Sequence, residues 1–175
     1  MDFHTHNLFA PMPAVINMPH EWLLHLETAE LRPEATYSVG IHPWWTAEEE
    51  NVERLLQGLS FWATHPQVVR IGECGLDKLQ GAVEAVQTEV FLQHIALSEA
   101  LQKPLTIHCV KAFDRLLALR KQMCPTQGWA IHGFRGKSEL AQQLLKAGFD
   151  LSFGARYNEA AFQLCPTDRR FQETD

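Results

Sequence analysis

Apolar residues fall along this chain in short runs, and most of the runs end on a residue able to bind a metal or move a proton. Runs near 2–5, 13–18, 36–41, 68–72, 104–107, 129–131, 149–153 and 169–173 have the length and composition of strands. "YSVGIH" closes on His42 before Pro43, and "VVRIGE" closes on Glu73 before Cys74-Gly75. "PLTIH" closes on His108, and "WAIH" closes on His132 before Gly133. The opening "DFHTH" and the final "RRFQETD", ending at Asp175, belong to the same series. "PAVINMP" reads as one more strand, without a ligand.

Helical patterns separate these runs. Thr46-Ala47-Glu48-Glu49 has the form of a capping box leading into "NVERLLQGLSFWA". "TEVFLQHIALSEALQ" places Val90, Phe91, Ile95, Leu97 and Leu101 near helical spacing and stops before Lys103-Pro104. "AFDRLLALRKQ" is amphipathic. Ser138 is placed to cap "ELAQQLLKA", which Gly148 closes.

Strands alternating with helices imply parallel pairing through right-handed crossovers. Eight such units predict a compact, distorted (β/α)8 barrel of the TIM type, with its chemistry at the C-terminal strand ends. An open doubly wound sheet is the alternative. It would not bring the first, fourth, fifth, sixth and eighth strands to a common point, whereas closure would.

Composition narrows the function classes. At 175 residues, with 46% hydrophobic and 21% charged residues, the chain reads as a single globular domain over 1–175. No apolar run approaches the ~20 residues of a membrane span, and no secretory signal pattern opens the chain. Four cysteines without a C-x-x-C pair read as reduced thiols, consistent with a cytoplasmic protein. A net charge of -6 argues against broad non-specific duplex binding, which runs on phosphate neutralisation. Nothing indicates an oligomer, so a monomer is the default. The unusual feature is nine histidines.

Alternate residues of a strand share a face, so Asp2, His4 and His6 project together. With Glu73, His108, His132 and Asp175 from other strand ends, six candidate ligands converge beside Asp2. Six exceed one tetrahedral site and suit two ions sharing a carboxylate. Mixed imidazole and carboxylate donors without thiolate fit Zn, Mn, Fe, Co or Ni, and Mg less well. His20, His25, His65 and His94 have no partner pattern and read as structural; Cys74 and Cys109 read as packing.

"DFHTH", "SVGIHPW", "IGECGLD", "EVFLQHIALSEALQKPLTIHC", "AIHGFRG" and "DRRFQETD" together resemble the TatD-like metal-dependent hydrolases of the amidohydrolase superfamily, in a short, compact branch. The resemblance implies a distorted TIM barrel with a two-metal centre and phosphodiester hydrolysis, typically as a deoxyribonuclease. By that similarity His4, His6, Glu73 and Asp175 would hold one ion, and a bridging Glu73 with His108 and His132 the other. Asp175 would act as general base, with Glu73 also catalytic. His42 would contact the scissile phosphate, and Asp2 would orient a ligand from behind. Family members continue past the position of Asp175 with further loop and a terminal helix. The expectation is therefore a domain truncated at its C-terminus, without the covering helix.

Lys78, Lys111, Arg135, Lys137 and Arg156 follow the strand ends and could draw in an anionic substrate. Trp44, Trp45, Phe134 and Tyr157 lie nearby. Arg135, inside "HGFRG", and Trp44 are the best candidates for contact with DNA or an oligonucleotide. Two alternatives stand beside a nuclease: an amidohydrolase or lactonase acting on a small molecule, and a metal-binding barrel without catalysis.

Overall fold

The computed structural model describes residues 1–175, apart from the side chain of Glu49. Its eight strands are β1 (Asp2–Thr5), β2 (Ala14–Asn17), β3 (Thr36–Val39), β4 (Val68–Asp77), β5 (Leu105–Val110), β6 (Trp129–Ile131), β7 (Phe149–Phe153) and β8 (Arg170–Gln172). Each pairs in parallel with the next in chain order. The helices are α1 (His20–Leu24), α2 (Glu49–Ala63), α3 (Glu84–Leu101), α4 (Phe113–Met123), α5 (Ser138–Lys146) and α6 (Glu159–Leu164). All eight expected strands are present, and the sheet curls into a nearly closed barrel.

The seam between β8 and β1 carries no strand ladder among the described residues. Side chains close it instead. The Phe3 and Phe171 rings stack at 4.6 Å and 19°, and the Asp2 carboxylate accepts from both the backbone N–H and the hydroxyl of Thr174. This clip fixes the segment that carries Asp175.

The strands are short apolar runs because parallel strands are covered on both faces. Ile16, Val39, Ile71, Leu105, Ile107 and Leu151 are buried completely. Leu55, Leu59 and Trp62 of α2, at helical spacing, cover them from one side, and Leu116 and Leu119 of α4 from another. Among the described residues, no helix is long and apolar enough to cross a membrane.

Three local expectations are corrected. Thr46 does not cap α2, because it lies in a 3-10 turn, Pro43–Ala47, and its hydroxyl donates to Pro43 O at 2.6 Å. Glu48 takes the cap position. Ser138 is the first residue of α5, after Lys137, and no side-chain cap bond forms there. The strand expected near 68–72 does not end at Glu73: β4 runs on to Asp77, with Gly75 opposite His108 and Asp77 opposite Val110. Gly75 has φ +140°, and a Cβ there would lie 2.1 Å from His108 O, so only glycine lets the two backbones approach. Gly148, with φ +92°, does close α5 as expected.

Candidate metal centre

Glu73 stands at the centre of the barrel mouth with its side chain 3% exposed. Its two oxygens face different imidazoles. Oε2 lies 3.3 Å from both His4 Nε2 and His6 Nε2. Oε1 lies 2.7 Å from His132 Nε2, 2.9 Å from His108 Nδ1 and 3.1 Å from His42 Nε2. Asp175 approaches from the end of β8, its Oδ1 3.3 Å from His6 Nε2 and 3.9 Å from His4 Nε2. Three groups have donor atoms within 4.8 Å of one another: His4–His6–Glu73, His4–His132–Asp175 and His42–Glu73–His108.

The charges follow from this packing. Burial alone would raise the Glu73 pKa, but His132, His108 and His4 outweigh it and hold the carboxyl well below its usual range. Burial likewise works against a charge on His132, yet Glu73 and Glu173 pull its pKa up to about 10. Burial pushes His42 down, only partly offset by Glu73. The backbone N–H of Trp44 donates to His42 Nδ1 at 3.2 Å. A neutral His42 therefore carries its proton on Nε2, aimed at Glu73 Oε1.

Several supporting residues have no counterpart in the sequence reading. Asn17 of β2 accepts from Glu73 N (2.9 Å) and from the Ser38 hydroxyl (3.1 Å), setting the backbone of the central carboxylate. Glu173 is buried behind His132, with Oε1 accepting from Gly133 N at 2.7 Å and lying 3.5 Å from His132 Nδ1. Asp77 Oδ2 lies 3.1 Å from His108 Nε2. Strand alternation could have pointed to Asp77 and Glu173, which sit four residues after Glu73 and two before Asp175. Nothing but a polar residue in an apolar run marked Asn17. Asp2 meets the backbone N–H of His4 at 3.4 Å rather than an imidazole, so it acts on the strand that carries His4. His94, read as structural, is fully buried: Ile41 N donates to its Nε2, and its Nδ1 lies 2.8 Å from Val90 O.

The donor set fits divalent ions. His4 is completely buried, and neither of its ring nitrogens makes a hydrogen bond. Its Nε2 lies 3.3 Å from Glu73 and 3.9 Å from Asp175 without forming a hydrogen bond to either, and an ion shared with those carboxylates would satisfy it. Two ligands ~2.1 Å from one ion and ~90–110° apart lie ~3.0–3.4 Å from each other, close to the spacing of His4 and His6 from Glu73 Oε2.

A family model described as TatD related DNase matches residues 6–175. The chain belongs to that family. It is 33% identical over 153 residues to the metal-dependent hydrolase YcfH of Escherichia coli K12, covering 82% of this chain and 56% of that one. It is 32% identical over 163 residues to the 3'-5' ssDNA/RNA exonuclease TatD of Erwinia billingiae, covering 84% and 60%. The chain thus spans a little over half the length of these curated relatives. Among solved structures, the TatD homolog YjjV of E. coli K12 superposes with a TM-score of 0.73 at 22% identity, over 93% of this chain and 66% of that one. A TatD-family hydrolase from Entamoeba histolytica gives 0.70 at 21%, over 93% and 60%.

In this TatD-family barrel the centre opens into a pocket of about 350 Å³ walled by Trp44, Trp45 and His42. A cleft of about 490 Å³ adjoins it, lined by Trp44, Lys111, Phe113, Phe134, Arg135 and Asp175 among others. Arg135 and Lys111 are exposed and make no ion pair among the described residues, whereas Lys78 pairs with Asp114 at 3.0 Å. Lys137, Arg156 and Tyr157 are exposed, and neither pocket is lined by them. Cys109 lines the cleft with its thiol pKa pushed up to about 12 by burial, and burial holds Cys74 higher than usual, so neither is a nucleophile.

Proposed function

We propose that this chain is a two-metal phosphodiesterase acting on DNA ends or short oligonucleotides. The carrying observation is the division of Glu73, one oxygen facing His4 and His6 and the other His108 and His132. A carboxylate placed this way would serve two cations at once. His4, His6 and Asp175 would hold the first with Glu73, and His108 and His132 the second. The donor chemistry admits Zn, Mn, Fe, Co, Ni or Mg.

When bound, such a pair supplies a water activated at neutral pH and charge to offset that of the phosphate. The protein groups do the rest. Asp175, a third exposed, orients the attacking water and accepts its proton. The Nε2–H of a neutral His42 donates a hydrogen bond to a phosphate oxygen, and a nitrogen that keeps its proton does not coordinate an ion. Arg135 and Trp44 hold the neighbouring nucleotide in the cleft, by charge and by stacking. The names of the 3'-5' ssDNA/RNA exonuclease relatives support this substrate class.

The test is release of mononucleotides from a single-stranded oligonucleotide with added Mn²⁺ or Zn²⁺. Wild type releases them and Glu73→Ala does not. Turnover of lactones or amides with no action on DNA would replace this reading with small-molecule hydrolysis. Bound metal with no turnover of any of them would leave a binding barrel.

A further inference from the structure

We propose that Asp77 is a positioning residue that joins the metal centre to the substrate cleft through a single oxygen atom. The inference rests on the reading above, in which His108 is a metal ligand and Trp44 a cleft wall.

Asp77 is the last residue of β4 and is 4% exposed. Its Oδ2 accepts from the Trp44 indole N–H at 2.7 Å and faces His108 Nε2 at 3.1 Å. Its Oδ1 accepts from the backbone N–H of Leu79 (2.8 Å) and of Gln80 (3.2 Å). The backbone is held as firmly as the side chain. Asp77 N donates to Gln87 Oε1, and Gln87 Nε2 donates to the carbonyls of Asp77, Gln80 and Ala82. The adjacent Lys78 turns away to Asp114 and Glu84. The carboxylate is therefore used on N–H donors, with no lysine or arginine paired to it.

Two consequences follow. Both ring nitrogens of His108 face carboxylates that only accept, Nδ1 that of Glu73 and Nε2 that of Asp77, so an ion taken up at Nδ1 would leave the ring proton on Nε2, donated to Asp77. Nδ1, 2.9 Å from Glu73 Oε1, would be the atom that meets the ion. A carboxylate behind a metal-binding imidazole also fixes the orientation of the ring. Meanwhile Trp44, though 45% exposed, is pinned by its indole edge, standing at 75° to His108 and 78° to His42. Its ring is fixed as a wall beside the centre. Because both N–H groups share Oδ2, a change at His108 on metal binding reaches Trp44 through one atom.

The experiment titrates the full chain with Zn²⁺ against a chromophoric chelator, in wild type and Asp77→Asn, with melting of the metal-free proteins as a fold control. The emission of Trp44 is taken as the difference between wild type and Trp44→Phe. Zinc affinity is expected to fall about 10–100-fold in Asp77→Asn. The zinc-dependent change in Trp44 emission should be present in wild type and lost in the variant even at saturation. Asp77→Ala provides a second variant if the amide re-pairs locally. Unchanged zinc affinity in both variants, whatever their melting temperature, would make Asp77 a turn residue only and overturn the inference. Identical emission changes in wild type and Trp44→Phe would also overturn it. If wild type binds no zinc, the metal-centre reading itself fails. Equal binding by wild type and both variants overturns the coupling alone.

Discussion

At the scale of single residues, the site is set as much by what stands behind the imidazoles as by the imidazoles themselves. Glu173 illustrates this. It is 7% exposed, holds Gly133 N and faces His132 Nδ1, yet sequence alone gave it no role beside Asp175. Replacing Glu173 by Gln keeps an acceptor for Gly133 N but removes the charge that supports His132. We expect metal affinity to fall about 10-fold with little change in the metal-free fold, checked by the same chelator competition. The histidines that end or begin strands were legible because a metal-capable residue recurred after each apolar run. Their backing groups were not, because a buried glutamate or asparagine has no sequence pattern that tells which ring it will meet.

At the scale of elements, α3 supports the β3 end that carries His42. Ile41 N donates to His94 Nε2 at 2.8 Å, so α3 reaches the loop beside the centre through a histidine whose spacing showed only a helix. Burial lowers the His94 pKa from 6.5 to about 4, only partly offset by Val90 O. Because the folded value lies below the unfolded one, the unfolded chain binds the extra proton as pH falls. Stability tied to His94 is therefore complete above pH 6.5 and is lost between 6.5 and 4. The loss is about 2 kcal/mol at pH 5 relative to pH 7. Other histidines titrate over the same range in both proteins, so urea unfolding at the two pH values should show a loss about 2 kcal/mol larger in wild type than in His94→Gln. The elements whose bounds moved, β4 and β5, lengthened because their mutual ladder continues through Gly75 and His108, a pairing that the local sequence disguises as a turn.

At the scale of the whole molecule, a barrel gathers into one mouth groups as far apart in the chain as His4 and Asp175. With a net charge of -6, two divalent cations would cancel four of the negative charges. They would also tie β1, β4, β5, β6 and the segment after β8 together. An ion at 100 times its Kd adds about 2.7 kcal/mol to stability. Stripping the metal with a chelator should therefore lower Tm by ~5–10 °C for a chain of this size, read by calorimetry. Sequence by itself determined the eight strands, the order in which those carrying the candidate ligands follow one another, and the family. Those depend on local periodicity and on residue types at fixed spacing. Only the tertiary structure decided which oxygen of Glu73 faces which imidazole, that Asp2 grips Thr174, and that Asp77 serves His108 and Trp44 at once. These are contacts between side chains tens of residues apart, and the closing of the sheet, rather than any local pattern, sets their distances.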